Sequence, residues 1–582
     1  MKMIKIREII ADELKILSIE AEGADLEHPK SLANGDFSFF VKDKSVNLEK
    51  LFHGKPPLKK IDHEYVEKTE IAGRFINFYL SKKFFADILE EILATEKNSG
   101  ITSGNTFGKN DNLTGQKIII EYTDPNLFKE FHIGHLMSNV VGESLSRIIE
   151  WNGAKVTRAI YQSDVGLNIA KAIWGMREQG MKSPQDQTEY WTSQKIIEFI
   201  GLGYIYGSQL YEDSSHEDSS CAKKEIDELN KVIYEKSNPE INRLYDWGRK
   251  ISLEHFEEIY KKLGTNFDLR FFESEAAPVG LLAAEELLKK GILEKSEGAV
   301  VFKGEQYGLH TRVFVNSQGL PTYETKELGL SKMKFDRQDF ARSIVVTANE
   351  QNDYFDVVLK VLEFVDHRAA NRTRHVSHGM LRFAEGKMSS RKGNVITGES
   401  LISDVEKLVQ EKIKDRDLPA SEKAKIAEWV AVGAIKYSIL KQSPGRDIIF
   451  DFNKSLSFEG DSGPYLQYTH ARACSVLKKA DEEGIESKVG EALKLQEPIG
   501  ELERLMIRFP EMVERAQKES APQLITTFLT NFASTFNRYY AENIIVDKTR
   551  PESSYRVALV RAGRAILKSG LYLLGTEAPE RM

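Results

Sequence analysis

Between Lys117 and Val156 the chain carries the plan of a β-α-β unit, and no other stretch constrains the fold as strongly. Lys117-Ile-Ile-Ile-Glu-Tyr122 is a short β-branched run bounded by turn residues, the pattern of a strand buried on both faces of a parallel sheet. A loop containing Pro125 follows, then a helix from about Gly134 to Trp151 that Asn152 and Gly153 stop, and a second strand starts at Val156. A loop at the carboxyl end of the first strand is where doubly wound sheets bind nucleotides. The expected class is therefore α/β, built on a Rossmann-like doubly wound parallel sheet.

The rest of the chain hangs on that unit. Its 582 residues exceed what one hydrophobic core serves, since cores stop growing at about 250 to 300 residues, so three or four domains are expected. Residues 1–100 mix helical and strand-like patterns and form an α+β N-terminal domain. The stretch from Asn98 to Gln116 is crowded with Gly, Asn, Ser and Thr and reads as a boundary. A sheet domain spans 101–400. It contains a charged, mostly helical insertion over about 166–293, strands at Ala299–Phe302 and Arg312–Val315, and a resumed sheet at Ser343–Val346. A helix over Tyr354–Val365 follows, and His375 to Phe383 leads as a strand into a loop around Lys387. Beyond Glu399 the periodicity is helical, giving a connecting region over 401–455 and an all-α domain over 456–582.

Composition excludes several classes. No apolar run approaches the roughly 18 residues of a membrane span, so no membrane partner is expected. Cys221 and Cys474 are the only cysteines, too few for a disulfide framework or a Cys-based zinc site, and no metal site is expected. The start, Met1-Lys-Met-Ile-Lys5, lacks the apolar core of a leader, which points to the cytoplasm. The net charge is −7, yet between Thr535 and Tyr572 seven basic residues face three acidic ones, with Tyr539, Tyr540 and Tyr555 among them. Rings interleaved with Arg and Lys suit unpaired bases and phosphates, while a solvated helix face has the same composition.

Two motifs carry chemistry. His132 and His135 flank Gly134 at a helix start, where the dipole and free N–H groups already favour a phosphate. Imidazole donors aimed at an α-phosphate would stabilise the charge of an in-line displacement, and Gly134 would let a flat adenine approach the backbone. Far downstream, Gly386-Lys-Met-Ser-Ser390 continues as Arg391-Lys392-Gly393, a loop able to close over a triphosphate and neutralise a departing pyrophosphate. His132, Gly134, His135, Lys387, Met388, Ser389 and Ser390 are thus the ATP candidates, with His132, His135 and Lys387 catalytic. Together they suggest activation of an amino acid as its adenylate by ATP with Mg2+.

With these motifs in order the chain resembles the class I aminoacyl-tRNA synthetases, and within them the arginyl-tRNA synthetase family over essentially its whole length. The resemblance is carried by Glu121-Tyr-Thr-Asp-Pro-Asn126, Gln162-Ser-Asp-Val-Gly166, Pro321-Thr-Tyr-Glu-Thr-Lys-Glu327, Gly386 to Val395, Tyr465-Leu-Gln-Tyr-Thr-His-Ala-Arg472 and the terminal Ala578-Pro-Glu-Arg-Met582. It implies that Glu121, Tyr323 and Glu327 line a guanidinium pocket, that Asn126 and Gln351 hold the amino acid's backbone groups, and that Asp164 lies among the arginine-binding residues. Carboxylates in paired hydrogen bonds suit a planar five-donor cation, and such a site needs no editing domain. Glu327 stands where the family usually has Asp, Asp124 where it has a small residue and Tyr354 where it often has His. Ser390 replaces the second lysine of the loop motif, and Lys129 is placed to restore that charge.

The resemblance further implies that residues 1–100, with Asn34-Gly-Asp-Phe37, touch the outer corner of tRNA and that the all-α domain binds the anticodon. Arg538, Tyr539, Tyr540, Arg561 and Arg564 are its candidate tRNA contacts. The implied partners are tRNA(Arg), L-arginine and ATP, the implied state a monomer, and the implied acceptor the 2′-hydroxyl of the terminal adenosine, with tRNA bound before activation. Two rivals remain, a class I enzyme for another amino acid and a tRNA binder without catalysis.

Overall fold

The computed structural model describes residues 2–16, 19–29, 31–43, 46, 48, 63–98, 106–181, 191–212, 219–384, 396–490 and 499–582. The chain divides into two compact units, one of residues 112–455 with 520–522, the other of residues 1–111, 456–519 and 523–582.

The first unit is built on five parallel strands: β4 Lys117–Glu121, β5 Lys155–Gln162, β6 Leu269–Phe272, β10 Arg342–Ala348 and β11 Thr373–His378, in the order β11-β10-β4-β5-β6. From β4 the chain first builds outward through β5 and β6, then returns on the other side of β4 with β10 and β11. The crevice beyond the carboxyl ends of β4 and β10 is therefore the switch point of a doubly wound sheet. Ile118, Ile119 and Ile120 of β4 are buried, as helices on both faces of a parallel sheet require. The helix Ile133–Trp151 follows β4 and is buried along nearly all its length.

A buried charge network fixes the end of β4 to that helix. Tyr122 Oη donates to Glu143 Oε2 at 2.6 Å, Arg147 Nε reaches Glu143 at 2.7 Å, and Arg158 joins Glu143 at 3.0 Å and Glu150 through both terminal nitrogens at 2.8 Å. Each carboxylate has a guanidinium partner, as burial of charge demands.

The expected insertion is shorter than its sequence pattern suggests. Helices Leu167–Glu178, Ser193–Glu212, Ser219–Glu235 and Pro239–Lys262 form it, but Leu269-Arg-Phe-Phe272 rejoins the sheet as edge strand β6. The strands at 299–302 and 312–315 occur as expected; they are β8 and β9, paired with β7 Glu294–Ser296 in an antiparallel sheet. The segment from His375 to Phe383 is two strands rather than one. β11 belongs to the main sheet, whereas β12 Leu381–Phe383 pairs with β13 Ile448–Phe450, a strand inside the region expected to be wholly helical.

In the second unit an antiparallel sheet of β1 Phe37–Phe40, β3 Phe75–Leu80 and β2 Val66–Ala72 lies between the helices Lys2–Ile16 and Lys82–Asn98 in sequence. The unit's C-terminal part is helical, with Gly463–Glu482, Gln523–Glu542 and Ser553–Leu573 its longest helices. Ion pairs bind the two parts, Arg7 to Glu511 at 2.6 Å, Arg504 to Asp36 at 2.7 Å, and Arg564 to Glu96, and His28 Nε2 hydrogen-bonds Glu511 at 2.8 Å. Segments far apart in sequence thus share one compact unit. Among the described residues no helix is long and apolar enough to cross a membrane.

Candidate active site

The two histidines cap their helix reciprocally. His135 N–H donates to His132 Nδ1 at 3.4 Å and His132 N–H to His135 Nδ1 at 3.3 Å, and the rings stack with centroids 3.3 Å apart. A neutral imidazole that accepts at Nδ1 carries its proton on Nε2, so both rings offer a single Nε2–H. Burial, aided by Lys129, lowers the pKa of His132 to about 4. His135 lies deeper, and burial, His132 and Lys129 hold its pKa well below the usual histidine value. At neutral pH the pair is therefore two neutral donors rather than two cations. A Cβ on Gly134 would sit 3.1 Å from Cε1 and Nδ1 of the His132 ring, so glycine permits the folded-back ring as well as any flat ligand.

The loop after β4 is strained. Thr123 and Asp124 have φ of +84° and +43°, a conformation that costs a non-glycine residue about 1–3 kcal/mol. The histidine helix holds it in place. Ser138 Oγ accepts from Thr123 N–H at 2.9 Å and donates to Val346 O of β10 at 2.6 Å, while Asn139 Nδ2 donates to Thr123 Oγ1 at 3.0 Å. Asp124 Oδ1 accepts from Tyr161 N–H at 2.7 Å, tying the loop to β5. Sequence reading missed Ser138 and Asn139; their only signal is that they follow His135 on the helix face turned toward the sheet.

At the carboxyl end of β4 the acids gather. Glu121 is almost fully buried and forms an ion pair with Lys334 Nζ at 2.7 Å, and Glu327 Oε1 lies 4.0 Å from the same nitrogen. Burial pushes the Glu327 carboxyl up to about 7, with Lys334 opposing and Glu121 and Glu273 adding to the rise. Asp124 is raised well above the carboxylate range by burial and by Glu121. Among the described residues three acids thus share one ammonium. The neighbouring lysine, Lys326, is taken by buried Glu273. Tyr323 begins the helix Tyr323–Arg337 that carries Lys326, Glu327 and Lys334, its ring is partly exposed, and its carbonyl accepts from Tyr354 Oη at 3.1 Å.

Asn126 pairs with Ser163 as an isolated parallel bridge, and exposed Gln351 ends the short 3-10 turn after β10, so both border the crevice. Lys129 Nζ lies 4.1 Å from the Tyr204 ring centroid. Asp164 differs from expectation. It is wholly buried, and its carboxylate accepts from Tyr245 Oη at 3.2 Å, Arg249 Nε at 3.2 Å, Ser274 N–H at 2.9 Å and Ser274 Oγ at 2.8 Å. Such saturation fastens the insertion to the sheet and leaves no surface for a substrate. Lys387, Met388, Ser389 and Ser390 lie outside the described residues, as do Arg391, Lys392 and Gly393. Thr397, after that loop, bridges to His132, and Gly398 N–H donates to Phe131 O at 2.7 Å.

The candidate RNA residues separate into two kinds. Arg538 and Tyr540 are exposed, Arg538 pairing with Glu501 at the surface. Arg561 instead bonds Ser487 Oγ at 2.9 Å and lies 3.5 Å from Asp481, while half-buried Arg564 pairs with Glu96. Local charge excess overstated the free basic surface, because its partners come from other segments. Tyr539 is half-buried. Among the described residues no group of three or more His, Cys, Asp or Glu could hold a metal ion.

A strained loop, a histidine-capped helix and an acidic crevice at the switch point of a parallel sheet define a class I aminoacyl-tRNA synthetase catalytic domain, and residues 99–452 match the family described as tRNA synthetases class I (R), catalytic domain. Residues 466–582 match the DALR anticodon binding domain. The chain belongs to the arginyl-tRNA synthetase family. It is 31% identical to the arginine–tRNA ligase of Streptococcus thermophilus strain LMG 18311 over 99% of this chain and 100% of the relative, and 29% identical to that of Halothermothrix orenii over 99% of each. Its fold matches that of the Thermus thermophilus arginyl-tRNA synthetase with a TM-score of 0.77 at 23% identity, covering 99% of both chains.

Proposed function

We propose that the protein activates L-arginine with ATP and transfers it to the terminal adenosine of tRNA(Arg), releasing pyrophosphate and then AMP. The observation that carries this is the surplus of acid in the crevice, where among the described residues Glu121, Asp124 and Glu327 share the ammonium of Lys334. Burial and mutual repulsion raise Glu327 and Asp124 in the empty crevice, and a guanidinium entering beside Glu327 supplies the cation that lets its carboxylate form, in a geometry a compact ammonium cannot copy.

In this reading the arginine carboxylate attacks the α-phosphorus in line, and the Nε2–H groups of His132 and His135 bind the phosphate oxygens on which charge grows. Being neutral, they stabilise that charge by hydrogen bonding without giving up a proton. Lys129 and the Lys387 loop, with Met388, Ser389 and Ser390, neutralise the leaving pyrophosphate, and Mg2+ arrives coordinated by the phosphates of ATP. Gly134 admits the adenine. Tyr323 flanks the guanidinium, Asn126 and Gln351 hold the amino acid's backbone groups, and Asp164 acts at a distance by fixing Tyr245 and Arg249. The 2′-hydroxyl of the terminal adenosine then attacks the arginyl carbonyl and expels AMP.

We assign residues 1–100 to the tRNA corner, 101–400 to catalysis, 401–455 to a connecting region and 456–582 to the anticodon, with Arg538, Tyr539 and Tyr540 as RNA contacts and Arg561 and Arg564 holding the helices beneath them. The protein acts as a cytoplasmic monomer. Arginine-dependent exchange of pyrophosphate into ATP, measured with and without tRNA, tests the activation step. Exchange that appears with arginine once tRNA is present supports it, and exchange driven by another amino acid contradicts it.

A further inference from the structure

Lys334 has no part in the chemistry described so far, yet it is among the most deeply buried charges in the catalytic unit, 2% exposed. A lysine is almost never buried unless paired, and its partners here belong to the site itself. It follows Glu327 by two turns of the same helix, so both side chains face β4. Its ammonium is 2.7 Å from Glu121 but 4.0 Å from Glu327. Burial opposes that charge, and Glu121, Glu327 and Asp124 more than compensate, keeping the ammonium protonated. The other titratable groups around the acids are Tyr161 from β5, Tyr354 from the helix Asn352–Val365, and Glu273 with its partner Lys326.

The asymmetry of the two distances has a chemical consequence. Glu121 is already committed as an internal counter-ion, whereas Glu327 lies beyond direct contact and stays available. We propose that Lys334 is the positioning residue that sets the charge of the guanidinium pocket: it holds Glu121 as a fixed internal anion and leaves Glu327 as the carboxylate that reads the substrate. Without Lys334 the close acids of the crevice would lose the cation that opposes their protonation, and its acceptance of a guanidinium would shift to higher pH. With it, Glu121 is held by an internal cation and Glu327 is left to meet a guanidinium. This rests on reading the crevice as an arginine site.

Arginine kinetics from pH 6 to 9 test the proposal in the full-length enzyme, its Lys334→Met variant and a variant combining Lys334→Met with Glu121→Gln. Methionine keeps the length of the lysine stem and removes only the charge. In Lys334→Met the KM for arginine rises about tenfold or more with a smaller change in kcat, and the acid limb of kcat/KM moves to higher pH. A purely structural role would not move that limb. The paired variant returns the limb toward its original position and still prefers arginine to citrulline, its uncharged isostere, because Glu327 remains. Should Lys334→Met fail to fold, the paired variant decides alone, since it removes both buried charges together. An unchanged KM and pH profile in Lys334→Met overturns the proposal. So does a paired variant that no longer discriminates citrulline, for Glu121 would then be the reader. Failure of the unmodified enzyme to use arginine would overturn the reading of the crevice instead, which keeps the two outcomes apart.

Discussion

The backbone N–H of Gly398 donates to the carbonyl of Phe131 at 2.7 Å, joining the residues just after the Lys387 loop to the residue just before His132. A Cβ at Gly398 would lie 3.0 Å from the Phe131 ring and 3.2 Å from His132 O. Gly398→Ala should therefore cost about 1–3 kcal/mol of local fit and part the two motifs. The KM for ATP should rise well above that of the unmodified enzyme while the KM for arginine changes little, as steady-state aminoacylation kinetics will show. Equal effects on both substrates would mean that this contact serves general stability only.

The stacked pair His132 and His135 leads to a second expectation. His135→Ala removes a donor meant for charge that grows in the transition state, so kcat should fall by about two orders of magnitude or more. The lost cap should cost only about 0.5–2 kcal/mol, leaving a folded protein by circular dichroism. Lys387→Ala should behave alike in kcat. Full activity in either variant removes its catalytic role.

Buried histidines set the acid limit of stability. Burial lowers His132, His375 and His470 to about 4, and lowers His135 and His378 as well. An unfolded histidine titrates near 6.5, so between those values the unfolded chain binds more protons than the folded one. The histidines' contribution should be full above about pH 6.5 and decline as pH falls toward 4, while the raised Glu327 and Asp124 carboxyls act with the opposite sign in the catalytic unit. Urea midpoints at neutral and mildly acidic pH check the sign. His470→Gln, at a site where Nδ1 lies 2.9 Å from Pro579 O, should reduce the decline in its own unit.

Two arginines close in sequence should respond differently. Arg538 is exposed, so Arg538→Ala should weaken tRNA binding and lower the slope of log affinity against log salt by about one, with little loss of stability. Arg564→Ala would break the half-buried ion pair with Glu96 and should lower the melting temperature. Salt titrations of tRNA binding, run beside thermal melts, separate the two. An unchanged slope in Arg538→Ala would contradict its role at the RNA surface.

How far the sequence reveals this molecule depends on the range of the interaction concerned. Strand β4 and its helix are legible because the signals are local, an isoleucine run buried on both faces and a histidine cap. Strands β6 and β13 are not, since runs such as Leu269-Arg-Phe-Phe272 are too short to show a period, and β12 reads as a continuation of β11 because its pairing with β13 is non-local. Glu121 and Glu327 are singled out as guanidinium candidates by resemblance alone. Their partner Lys334 is not, because only folding brings it to them. For the same reason Arg561 and Arg564 read as free basic surface until Asp481 and Glu96 arrive from elsewhere in the chain.

The central claim, that this acidic crevice selects arginine for attachment to tRNA, is tested most directly by charging. The protein is incubated with ATP, Mg2+, total tRNA and each radiolabelled amino acid in turn, and acid-precipitable label is counted. Label in tRNA with arginine alone is the expected result; label with a different amino acid, or with none, would contradict it.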